Sequence, residues 1–164
     1  MTAAEFHRPF AADRISPGGS AQEVTATAAE CAALALRLAI PAVLSLGCRF
    51  HLRRMEGGRI AASGELRARL VRDCVVTLEP FEAAIAESFR IVFVPAEAIE
   101  ERLDLEADDE VPYEAGAIDL GEAAVEQVAL TLDPYPRRPG AALPEAAAEE
   151  APSPFAVLAR RDRG

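Results

Sequence analysis

From Leu44 to Leu70 apolar and polar side chains alternate with a period of two, broken only around Gly57-Gly58. That period fits a β-strand with one buried face; a helix of the same sequence would bury charge. Leu44, Leu46, Cys48, Phe50 and Leu52 share one face, opposite Ser45, Gly47, Arg49, His51 and Arg53. Beyond the glycines, Ile60, Ala62, Gly64, Leu66, Ala68 and Leu70 share a face, opposite Arg59, Ser63, Glu65, Arg67 and Arg69. Two such segments, so close in sequence, predict a long antiparallel hairpin over about 43–55 and 59–73.

The phase of the pattern restricts the turn. Apolar positions are even-numbered on both strands, so paired residues must sum to an even number. A two-residue turn at Gly57-Gly58 would set Phe50 opposite Glu65 and bury a carboxylate. A three-residue loop, Glu56-Gly57-Gly58, instead pairs Met55 with Arg59, Phe50 with Gly64 and Cys48 with Leu66. It also sets Arg49 against Glu65 on the exposed face, and Gly58 supplies the left-handed residue such loops need.

The flanking segments supply fewer constraints. Short strands are expected near residues 5–10 and 22–26. Thr27-Ala28-Ala29-Glu30 has the spacing of a capping box and predicts a helix over about 28–38, with Cys31, Leu34, Ala35 and Leu38 on its apolar face. Pro41 lies just past that helix, where it cannot continue. A third strand is expected over about 83–94, with Ile85, Phe89, Ile91 and Phe93 as core candidates. Asp119-Leu120-Gly121-Glu122 predicts a second helix over about 120–132, with Leu120, Ala124, Val128 and Thr131 on one face and Asp133-Pro134 stopping it. The expectation is an α+β domain, an antiparallel sheet covered on one face by helices. It spans residues 1–136 and contains a mobile acidic arm at about 96–116. A Pro/Ala/Glu-rich tail follows over 137–164, with a short docking segment at 153–161.

Charge is unevenly placed. The net charge is −10, which by itself disfavours non-specific binding to nucleic acid. Yet residues 47–72 hold seven arginines and His51 against only Glu56 and Glu65. Between 97 and 110 the balance reverses: eight acids stand against Arg102. Arg49, His51, Arg53, Arg67 and Arg69 should project from one side of the hairpin, and guanidinium forks suit phosphate oxygens. The same residues also read as an ordinary solvated sheet face. The acidic stretch reads as a solubilising spacer, as a holder of a basic protein, or as a cover for the basic hairpin.

No catalytic constellation appears. His7 and His51 are the only imidazoles, and there is no G-x-G-x-x-G, no P-loop and no H-E-x-x-H. Asp119, Glu122 and Glu126 fall near one helix face, but acids at a helix start are stabilised by the helix dipole. The three cysteines, Cys31, Cys48 and Cys74, are odd in number and widely spaced, which does not make a disulfide framework. Each reads as a small buried hydrophobe. No leader and no membrane span are visible, and a cytoplasmic protein without metal, cofactor or small-molecule substrate is expected.

Four pieces in order carry a resemblance. The first is Arg72-Asp73-Cys74-Val75-Val76-Thr77-Leu78-Glu79-Pro80-Phe81, and the second is the acidic stretch. Then come Ile118 to Arg137, with Glu126-Gln127, Pro134 and Pro136, and finally Pro154-Phe155-Ala156-Val157-Leu158. Together they resemble the YceD family, the large ribosomal RNA subunit accumulation proteins. The resemblance implies a non-enzymatic factor in large-subunit ribosome biogenesis that supports 23S rRNA accumulation or processing. Its partners would be 23S rRNA or a large-subunit precursor, and a ribosomal protein. The alternative is an acidic adaptor that holds a basic ribosomal protein without touching RNA. Many relatives carry a second cysteine three positions after the first, where Thr77 stands here, and further cysteines where this chain has Arg137-Arg138. One thiol cannot hold zinc, so that corner is expected to be braced by packing.

Overall fold

The computed structural model describes residues 5–98 and 109–142. In chain order the elements are β1 (Pro9–Ala11), β2 (Ser20–Thr25), α1 (Ala28–Arg37), β3 (Ala42–Arg54), β4 (Ile60–Asp73), β5 (Pro80–Pro95), β6 (Asp109–Tyr113), β7 (Ala117–Asp119) and α2 (Leu120–Thr131). One sheet runs β2-β3-β4-β5-β6, and β1 pairs with β7 in a separate two-stranded ribbon. The fold is α+β, with two helices on a five-stranded sheet.

β3 and β4 pair over nearly their whole length: Phe50 faces Gly64, Cys48 faces Leu66 and Arg49 faces Glu65. Glu56, Gly57 and Gly58 make the loop, closed by the Met55 N–H donating to the Arg59 carbonyl at 2.8 Å. Gly57 and Gly58 both lie in the left-handed region, at φ 70° and 76°. The alternation does not hold at the start of β3. The register shifts between Val43 and Ser45, so Val43 is buried and Leu44 is 43% exposed, the reverse of the expected phase. A bulge inserts one residue and moves everything before it to the other face.

The sheet is mixed rather than purely antiparallel. β6 comes from the end of the acidic stretch, where no strand pattern shows, and pairs parallel with β5 from Ile91–Asp109 to Pro95–Tyr113. A parallel neighbour needs a crossover connection, and residues 96–108 provide the length. The rest of the expected arm, 99–108, lies outside the described residues, as does the proposed docking segment at 153–161.

α1 opens on the capping box: the Thr27 hydroxyl accepts from the Glu30 N–H, and the Glu30 carboxylate accepts from the Thr27 N–H at 2.7 Å. Its buried side is Cys31, Leu34 and Ala35. α2 buries Leu120, Gly121, Ala123, Ala124, Val125 and Val128. Thr131 does not join that face; it is exposed and its hydroxyl donates to the Gln127 carbonyl at 2.8 Å. Both helices pack on the even-numbered side chains of β3 and β4. Each Leu, Ile or Phe buried there contributes roughly 1.5–3 kcal/mol.

β5 is longer than its pattern suggests, and only its second half reaches the core. Ile91 and Phe93 are buried, whereas Ile85 and Phe89 are half-buried. Phe89 lies edge-on to Phe50, centroids 5.7 Å apart. Gly64, between them in the register, is what leaves room: a Cβ there would lie 2.2 Å from the Phe89 ring.

Candidate nucleic-acid interface

With the helices on one face of the sheet, the other is open to solvent over most of its area, Val92 and Val94 at one end of β5 being buried. Strand pairing arranges it in rows. Glu23, Arg49, Glu65 and Ser88 form one row across β2 to β5, and Ala21, His51, Ser63 and Arg90 form the next. In one direction follow Gly47, Arg67 and Ala86, then Ser45, Arg69 and Ala84. In the other, Arg53 faces Ala61, which faces Val92. Arg49, His51, Arg53, Arg67 and Arg69 are all exposed on this side.

Acids accompany some of these cations. Arg49 sits 3.6 Å from the Glu23 carboxylate and Arg69 sits 2.6 Å from Glu82, every one of the four side chains more than half exposed. Such surface pairs contribute about 0–1 kcal/mol, so a phosphate can displace the carboxylate at little cost. Among the described residues, neither Arg53 nor Arg67 makes an ion pair. Three other hairpin arginines are tied to the body. The Arg54 guanidinium donates to the Ala12 carbonyl, Arg59 pairs with Glu110, and Arg72 donates to the Asp133 carbonyl at 2.8 Å.

The face is not flat. One depression lies between the Gly18-Gly19-Ser20 loop and the side chains of His51, Arg53, Ser63 and Arg90. A second, over Ser63, Glu65 and Ser88, shares His51 and Arg90 with it. A third, around Arg49 and Arg67, shares Glu65 with the second. Arg90 was not among the residues singled out from the sequence, because nothing in the hairpin pattern says which strand lies beside β4.

The segments at 72–81 and 118–137 meet in space at the far end of the β4–β5 hairpin. The Val75 N–H donates to the Pro136 carbonyl at 2.9 Å, and the Arg138 N–H donates to the Cys74 sulfur at 3.4 Å. Arg138 also pairs with Glu79 at 2.9 Å. Within the turn the Leu78 N–H donates to the Cys74 carbonyl and the Cys74 N–H to the Glu79 carbonyl. Hydrogen bonds and an ion pair thus hold this corner, where packing was expected. The Thr77 hydroxyl, followed by the Arg138 N–H, holds the Cys74 thiol down to about 6. Burial does the opposite at Cys48, pushed up to about 12, and raises Cys31.

The remaining motif positions scatter. Pro80 and Pro134 are exposed, while Phe81 and Pro136 are half-buried. Both of the latter line a groove beneath β5 with Ile85 and Leu132. Glu126 and Gln127 lie midway along α2, away from the arginine face. Burial and then Glu122 raise the Glu126 carboxyl, opposed by Arg37. Asp119 caps α2, accepting from the Gly121 and Glu122 N–H groups, and Arg37 binds Glu122 and Glu5. Asp119 and Glu122 are thus occupied in structural contacts.

A family model described as "Large ribosomal RNA subunit accumulation protein YceD" matches residues 62–160, more than half of the chain. No curated protein and no solved structure matches it.

Proposed function

The chain belongs to the YceD family, the large ribosomal RNA subunit accumulation proteins, and we propose that it supports 23S rRNA accumulation or processing by binding rRNA or a pre-ribosomal particle. In this reading the protein is cytoplasmic and catalyses nothing. The contact is made by the solvent face of the sheet, through Arg49, His51, Arg53, Arg67 and Arg69. The observation that supports it is one exposed face carrying these four arginines and His51 in a chain of net charge −10.

Guanidinium groups suit phosphate oxygens, and release of counterions from RNA would drive association. No outward position of β3, β4 or β5 on this face is Phe or Tyr. That argues against bases stacked on Phe or Tyr rings as the main contact and favours recognition of backbone or shape. The acidic stretch at about 96–116 would keep non-specific RNA off the face, and the segment 153–161 would dock protein.

Exchanging Arg49, Arg53, Arg67 and Arg69 for Glu together should abolish co-sedimentation with large-subunit precursors. Binding by the native protein should weaken steeply with salt, the logarithmic slope falling by about one for each phosphate contact removed. Exchanging Glu97, Glu100, Glu101, Asp104, Glu106 and Asp108 for Gln or Asn, which spares β6 and its crossover, should leave RNA binding intact or strengthen it. If that exchange alone destroys function and the arginine changes do nothing, the protein is an adaptor for a basic ribosomal protein.

A further inference from the structure

Resting on the rRNA reading, we propose that RNA is held chiefly at one end of the solvent face, where the depression beside the Gly18-Gly19-Ser20 loop receives a backbone phosphate. The cations of the face are not equivalent. Arg49 is flanked by Glu23 and Glu65, and Arg69 is held by Glu82. The depression beside the loop is lined by Arg53, Arg90, His51, Ser63 and Ser20, and among the described residues no Asp or Glu lines it. In a chain this acidic, a concave surface without a carboxylate is where an anion meets least repulsion.

The register explains why these groups converge. His51, Ser63 and Arg90 occupy one row on three adjacent strands, neighbours in a row standing about 5 Å apart. Arg53 lies one row further along β3. Ala21 and Ala61, which also line the depression, are short enough to leave the space above the strands open. Arg53 and Arg90 are forks reaching in from either side, and Ser63 brings a hydroxyl donor. The volume is about 630 Å³, and the depression is open to solvent rather than enclosed. An open site suits one phosphate of a continuous chain; a free small ligand would leave most of its surface wet.

The test uses the full-length protein, isotopically labelled, titrated separately with a 12-base-pair RNA duplex and with inorganic phosphate. RNA should shift the amide signals of Gly19, Ala21 and Ser63 and the guanidinium signals of Arg53 and Arg90, and phosphate should shift the same set more weakly. The double change Arg53→Gln with Arg90→Gln should lower RNA affinity about tenfold and reduce the salt slope by about two. Arg49→Gln with Arg69→Gln should lower affinity by no more than about threefold. Circular dichroism confirms that each variant is folded. RNA binding centred on Arg67 and Arg69, or undiminished in the first double variant, overturns the site and leaves the rRNA reading standing. Shifts with phosphate but no RNA binding uphold the anion site and overturn the rRNA reading. No response to either ligand overturns both.

Discussion

The thiols show how far one residue type can be driven apart by its surroundings. Cys48 lies in the apolar core between β3 and β4, and burial there disfavours the charged form. Cys74 is equally hidden from water, but what covers it is the polar lining of its own turn, and it stands outside the main core cluster. The sequence marks both as small hydrophobes; it does not show that an N–H from Arg138 reaches the Cys74 sulfur. The pH consequence follows from the direction of the shift. The folded thiol is held at about 6 against 9.0 for an unperturbed one. The stabilisation is therefore complete above about pH 9 and lost as pH falls through about 6. The gap in urea midpoint between the native protein and Cys74→Ala should accordingly shrink from pH 9 to pH 6. A gap that stays constant across that window would show that the thiolate is not favoured by folding.

Among the elements, the β3–β4–β5 core was the most legible, because local alternation and parity restrict which residues can face each other. Where local rules stopped, so did legibility. The bulge at Val43 and Ser45 has no glycine or proline to mark it, and Leu44 looks as apolar as its neighbours. Gly64 illustrates a position whose meaning depends on two neighbouring strands. Gly64→Ala would drive a methyl into the Phe89 ring and push it off Phe50. A cost of about 1–2 kcal/mol is expected, read as a lower urea midpoint. Phe89→Leu should recover part of that loss in the double variant. Purely additive effects would mean that the two positions are not in contact.

At the scale of the whole molecule, one carboxylate reinforces the closure that the β1–β7 pairing makes. Asp119 accepts from the Arg8 N–H at 2.9 Å and from the first N–H groups of α2, and it contacts His7. It thus joins the N-terminal segment to the last helix, across most of the sequence. Asp119→Ala should cost about 1–2 kcal/mol, Asp119→Asn less, because the amide oxygen still accepts. Hydrogen exchange at Arg8 and Gly121 should quicken in the alanine variant; unchanged exchange there would remove Asp119 from this role. The cap was readable from Asp119-Leu120-Gly121-Glu122, since capping is a matter of spacing within four residues. Its second partner was not, because Arg8 is 111 residues away.

The amino-acid order determined the facing of the hairpin's side chains, the helix starts and the placement of arginines away from acids along the chain. Each depends on neighbours a few residues apart, where the backbone period fixes direction. Tertiary structure decided which strand lies beside which. That choice brought Arg90 next to His51 and Arg53, put Glu23 and Glu82 against Arg49 and Arg69, joined Cys74 to Arg138, and drew part of the acidic stretch onto the edge of β5 as a parallel strand. Pairing between distant segments is settled by burial and hydrogen bonding summed over the whole sheet, and no local pattern carries that sum.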